Sequence, residues 1–199
     1  MSVEFNPLEE RERHIIEPGA EILGGILLTR AAIVVDVEEN PEPYNAVLGV
    51  IDDRVAGLKG LGSEVTAHDF LKVVDRTVVR FVPFYQAGYG KILKNEAELR
   101  GAERITQEHE IGLSRFISLA GICHQHSLLS GTMLRLLQER GDIGGTISIE
   151  PAKSLRFPEA PLDHPDRHTK VIFSEGEQSY SLDINTGVSK LRKSLEDAA

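Results

Sequence analysis

Residues 121–141 read "GICHQHSLLSGTMLRLLQERG" and hold the only cysteine of the chain, Cys123. Leu128, Leu129, Met133, Leu136 and Leu137 recur at the spacing of one helical face, which predicts an amphipathic helix starting near that cysteine. Arg140 complements the C-terminal dipole of such a helix, and Gly141 suits the C′ position. The start matters chemically, because the unpaired amides of a helix N-terminus favour a thiolate. What the helix packs against decides the fold.

Candidate partners lie downstream. "TISIE", residues 146–150, alternates as a strand, and the loop from Pro151 to Arg167 carries four prolines, too many for regular structure throughout. "RHTKVIFSEGEQSYSLDINTG", residues 167–187, reads as a hairpin. A two-residue turn at Glu175-Gly176 pairs Val171 with Tyr180, Thr169 with Leu182 and His168 with Asp183, and a turn shifted by one residue sets His168 opposite Asn185 instead. Either register leaves Val171, Phe173, Tyr180, Leu182 and Ile184 on one face and His168, Lys170, Ser181 and Asp183 on the other. Opposite Cβ atoms lie about 4.5–5.5 Å apart, within reach for a carboxylate or amide to orient an imidazole.

Upstream, Thr66 reads as an N-cap with Asp69 in the first turn. Phe70, Leu71, Val74, Val78, Phe81 and Val82 then predict a core-packed helix over 67–82, ended by Pro83 and Gly88. "AAIVVDV" is strand-like, "EENPEPY" (38–44) reads as a Pro-rich acidic loop, and the charged stretch from Lys91 to Glu110 as a partly exposed helix. "GLKGLGS", residues 57–63, reads as a hinge. It divides an N-terminal arm, residues 1–65, from a main body, residues 66–190, with 191–199 as a tail.

The bulk properties narrow the classes. A chain of 199 residues suits one core with or without an arm. A net charge of −9 excludes a broad surface for nucleic acid or acidic membrane. One cysteine makes no internal disulfide. The charged N-terminus lacks the basic-then-apolar pattern of a signal peptide, and "ILGGILLTRAAIVVDV" is broken by Gly24, Gly25 and Arg30, short of the roughly 20 apolar residues of a membrane span. The expectation is a soluble cytoplasmic protein without nucleic-acid or membrane partners.

A cysteine nucleophile needs a lowered thiol pKa, an imidazole in reach, and a third group to fix the imidazole's tautomer. Cys123, His168 and Asp183 offer these in chain order. Metal is the second possibility: Cys123, His124 and His126, then His164 and His168, are zinc-compatible residue types, though not at the usual knuckle spacing. The third is a buried cysteine that behaves as a small hydrophobe. His124 and His126 read as surface or supporting residues, and His68 and His109 as solvent-facing. "GLKGLG" and "GYGK" lack the spacing that cradles a nucleotide.

"GIC" with "HSLLSGTMLRLLQERG", "TISIE", "HTKVIF" and "YSLDINTG" together resemble the transglutaminase-like superfamily, relatives of the papain-type cysteine proteases. The likeness covers residues 110–187, with 67–82 as an earlier packing helix. It implies an α+β fold in which the nucleophile-bearing helix packs against a small antiparallel sheet. It further implies Cys123 as nucleophile, His168 as general base and acid, and Asp183 as the orienting carboxylate. The activity implied is hydrolysis or acyl transfer on an amide of a protein or peptide, through a thioester and without cofactor or metal. Gln107 or Gln125 would supply a side-chain donor to the oxyanion. Lys170 stands where many members carry an aromatic residue, and Ile184 where many carry proline; both alter the cleft wall. The competing expectation is an inactive scaffold of the same fold that binds a protein partner.

Overall fold

The structure, a computed structural model, describes residues 3–4, 13–16, 21–22, 25–26, 31–62, 64–83, 110–118, 121, 123–152 and 168–191. Its elements are β1 (Val3–Glu4), β2 (Arg13–Ile16), β3 (Glu21–Ile22), β4 (Gly25–Ile26), β5 (Ala31–Val34), α1 (Pro41–Gly60) and α2 (Ala67–Phe81). After β6 (Glu110–Gly112) come a 3₁₀ turn (Leu113–Phe116), α3 (Cys123–Glu139), β7 (Thr146–Ala152), β8 (His168–Glu175), β9 (Gln178–Asp183) and β10 (Gly187–Leu191).

The class is α+β. The main sheet runs β1-β7-β8-β9-β10, and every neighbouring pair in it is antiparallel. Alternation along these strands lays Ile147, Val171, Phe173, Tyr180 and Leu182 on one buried face. Helix α3 covers that face over β7, β8 and β9, α2 extends the cover over β9 and β10, and α1 packs behind on α2 and α3. A second sheet, β2-β5-β6, is antiparallel between β2 and β5 and parallel between β5 and β6.

Helix α2 has the expected bounds and cap. Asp69 N donates to Thr66 Oγ1 at 3.3 Å, and Thr66 N donates to Asp69 Oδ2 at 3.1 Å, a reciprocal box that satisfies orphan donors at the helix start. The Thr66 bonds hold the Asp69 carboxyl below the usual range. Helix α3 ends as its glycine predicts: Gly141 N donates to Gln138 O and Asp142 N to Leu137 O, the paired bonds of a Schellman motif.

Residues 41–60 correct the sequence reading. They form a 20-residue helix where a Pro-rich loop and a Gly-rich hinge were expected. Pro41 falls at the helix start, where a missing amide costs nothing and the fixed φ suits the first turn. Tyr44, Val47, Ile51 and Val55 are fully or nearly buried and share one hydrophobic core with α2, α3 and the main sheet. Of the stretch read as a hinge, residues 57–60 are the last turn of α1 and 61–62 are a turn.

In the hairpin, Val171 pairs with Leu182, Phe173 with Tyr180 and Glu175 with Gln178, the register shifted by one residue from a Glu175-Gly176 turn. The loop is Gly176-Glu177. Gly176 has φ +57° while Glu177 does not take a positive φ, the pattern of a type II′ turn, whose first loop position glycine adopts freely. The faces are unchanged, because pairing moved by two positions preserves parity. Strand β10 was not foreseen. The charged stretch from Lys91 to 109 and the loop 153–167 lie outside the described residues. No described helix is long and apolar enough to cross a membrane.

Candidate functional site

Cys123 is the first residue of α3 and half-buried, so its sulfur sits beside amides that lack intrahelical partners. The first turn of α3 carries no acidic side chain, leaving the positive end of the dipole unopposed for an anion. His124 Nδ1 lies 3.8 Å from Cys123 Sγ. The described residues thus bring one imidazole to the sulfur, and it belongs to a histidine that the sequence placed among supporting residues.

The start of α3 is held by the end of α2. The last carbonyls of a helix have no intrahelical donors, and here the segment around Cys123 supplies them. Ser118 N donates to Phe81 O at 2.6 Å, and Gly121 N donates to Pro83 O at 3.2 Å. A ring nitrogen of His126 hydrogen-bonds the Val82 carbonyl between them. Gly121 fits this strap because it lacks a side chain: an added Cβ would lie 2.6 Å from Val82 Cγ1 and 2.8 Å from Gln125 Cβ. Ser118 takes the left-handed value φ +71° at the bend, an uncommon conformation for a residue with a Cβ.

His126 is 4% exposed, not the surface residue that the sequence suggested. Its helix is walled by α2 on one side and by β8 and β9 on the other, so the polar positions Gln125, Ser127, Ser130 and Thr132 are buried too. Burial holds the His126 imidazole far below the ordinary histidine range, to about 4, against a smaller upward pull from the Val82 bond. Nε2 has no hydrogen-bond partner. Thr169 Oγ1 donates to Ser127 Oγ at 3.2 Å, joining β8 to α3 one turn after Cys123.

Asp183 closes β9, opposite Gly187 of β10, and its Oδ1 accepts from Asn185 N at 2.8 Å. With Asp75, Val78, His126, Ser127, Ser130, Leu182 and Ile184 it lines a small cavity between α2, α3 and the end of β9. Burial raises the Asp75 carboxyl; Arg76 opposes that and the Asp183 charge adds to it. His168 begins β8 opposite Ala152; its side chain, with Gln107, His109 and His164, lies outside the described residues. Gln125, the other oxyanion candidate, is 4% exposed beside Gly121. His68 is half-buried and stacked on Tyr180, ring centroids 5.0 Å apart, rather than facing solvent. Among the described residues no group of three or more His, Cys, Asp or Glu could hold a metal ion.

Set against family models, curated proteins and solved structures, the chain finds no match.

Proposed function

We propose that the protein is a thiol-dependent hydrolase or acyltransferase of the transglutaminase-like kind, acting on an amide of a peptide or a glutamine side chain. The observation that carries this reading is the place of Cys123: half-buried as the first residue of a 17-residue helix, strapped to α2 and laid across an antiparallel meander. That meander bears His168 at the start of β8 and Asp183 at the end of β9.

The chemistry runs through a thioester. The Cys123 thiolate attacks the amide carbonyl, forming a C–S bond and a tetrahedral oxyanion near the amides of the helix start. The C–N bond breaks as His168, oriented by the Asp183–Asn185 end of the hairpin, passes the thiol proton to the leaving amine. Water or a second amine then attacks the thioester, the C–S bond breaks, and the thiolate returns. His124 Nδ1, 3.8 Å from the sulfur, shares its surroundings.

Incubation with glutamine- and peptide-based substrates, followed by mass spectrometry of the intact chain, tests this. An acyl adduct on Cys123, absent in Cys123→Ala and slowed in His168→Ala, is expected. Adduct formation at wild-type rate in His168→Ala removes that base from the mechanism, and no adduct on any substrate leaves the inactive binding scaffold.

A further inference from the structure

The cavity between α2, α3 and the end of β9 shares one residue, Asp183, with the proposed thiol chemistry and is otherwise built from side chains that chemistry does not use. Its polar lining is Asp75 from α2, His126, Ser127 and Ser130 from α3, and Asp183 from β9. The volume open to the centre of a water molecule is about 10 Å³, close to what one water needs. Among the described residues no lysine or arginine lines it.

The lining is rich in acceptors. His126 bonds Val82 through a ring nitrogen while Nε2 has no partner, so Nδ1 carries the proton and Nε2 presents a lone pair. At 4% exposure that lone pair has no access to bulk solvent, and a buried acceptor left unmade costs free energy unless something donates to it. The two carboxylates add further acceptor sites, and Ser127 Oγ already accepts from Thr169. The Ser127 and Ser130 hydroxyls can donate, but neither is bonded to His126 Nε2.

We propose that this cavity is a binding site for one water-sized hydrogen-bond donor, water or ammonium, held between His126 Nε2 and the carboxylates of Asp75 and Asp183. The guest ties α2, α3 and β9 together one turn beyond Cys123. It satisfies the one ring atom of His126 that the chain leaves bare, while the other end of the ring grips the last turn of α2.

A high-resolution crystal structure of the full chain, with nitrogen-15 NMR of its histidines, tests this directly. Expected are density for one guest within hydrogen-bond distance of Nε2, and His126 as the Nδ1–H tautomer with Nε2 accepting a bond. Melting with sodium replaced by ammonium at constant ionic strength separates the two guests: a rise identifies ammonium, and no change identifies water. Ser130→Val compared with the isosteric Ser130→Thr gives a second reading. A methyl facing the guest lowers the folding equilibrium constant about tenfold relative to the hydroxyl. A proton on Nε2, an empty cavity in the density, or a valine variant as stable as the threonine one overturns the site.

Discussion

Two buried polar side chains of this protein, Asp36 and His126, are 8% and 4% exposed, and the chain treats them in opposite ways. Asp36 follows β5, and its carboxylate is fully provided for. Tyr44 Oη and Ser114 Oγ donate to it at 2.5 Å each, Asn40 Nδ2 at 2.9 Å and Ser114 N at 3.0 Å. These bonds knot β5, α1 and the 3₁₀ turn, and burial together with the bond to Asp36 pushes the Tyr44 hydroxyl far above the ordinary tyrosine range. His126 has one ring nitrogen on Val82 and the other on nothing. A buried group that the chain satisfies itself serves structure. One that the chain leaves open beside a water-sized polar hole is built for something outside the chain.

The largest effect expected from breaking this contrast is at the knot. Asp36→Ala orphans the Tyr44, Asn40 and Ser114 donors together and costs about 4 kcal/mol of folding stability in urea denaturation. A loss under about 1 kcal/mol would mean that water replaces the carboxylate freely.

Next comes acid. A histidine held neutral by burial binds its proton first in the unfolded chain, whose ordinary pKa is 6.5, so stability falls as the pH drops below that value. The loss through the folded value of about 4 amounts to roughly 3 kcal/mol. Asp75 acts with the opposite sign: its raised carboxyl takes up a proton more readily when folded, which stabilises the fold as pH falls. His126→Phe should therefore flatten the acid decline between pH 6.5 and 4, whereas Asp75→Asn should steepen it. Parallel pH profiles for wild type and both variants would contradict these assignments.

The smallest effect lies at the surface. Arg140 pairs with Asp52 at 2.7 Å and Asp142 at 2.6 Å, with side chains 29–47% exposed. Solvent screening leaves Arg140→Ala less than about 1 kcal/mol to lose, measurable as a small shift of the urea midpoint that salt removes.

Much of the fold was legible because apolar period and cap chemistry agreed. Thr66 with Asp69 announced α2, the leucines announced α3, and the hairpin faces survived a one-residue shift of the turn. Helix α1 was hidden by Pro41 and Pro43, read as loop residues although the first turn of a helix tolerates proline. Tyr44, Val47, Ile51 and Val55, spaced three and four apart, were the signal that outweighed them. The burial of His126 was not legible from local pattern. His126 read as a surface or supporting residue, and only the packing of α2 and β9 against its side of α3 turns it inward. The helix-start position of Cys123 was readable; the contact with His124, its immediate neighbour, was overlooked because helical periodicity directs attention to residues three and four apart.

The claim on which the functional account depends is that Cys123 is an activated thiol. As the only cysteine, it alone reports in the rate of alkylation by iodoacetamide, followed against pH in the native chain and in urea. Activation predicts that the native rate reaches half its plateau at or below about pH 7.5, against about 8.5 for the unfolded chain. Equal midpoints, or a native thiol that does not react, would contradict it.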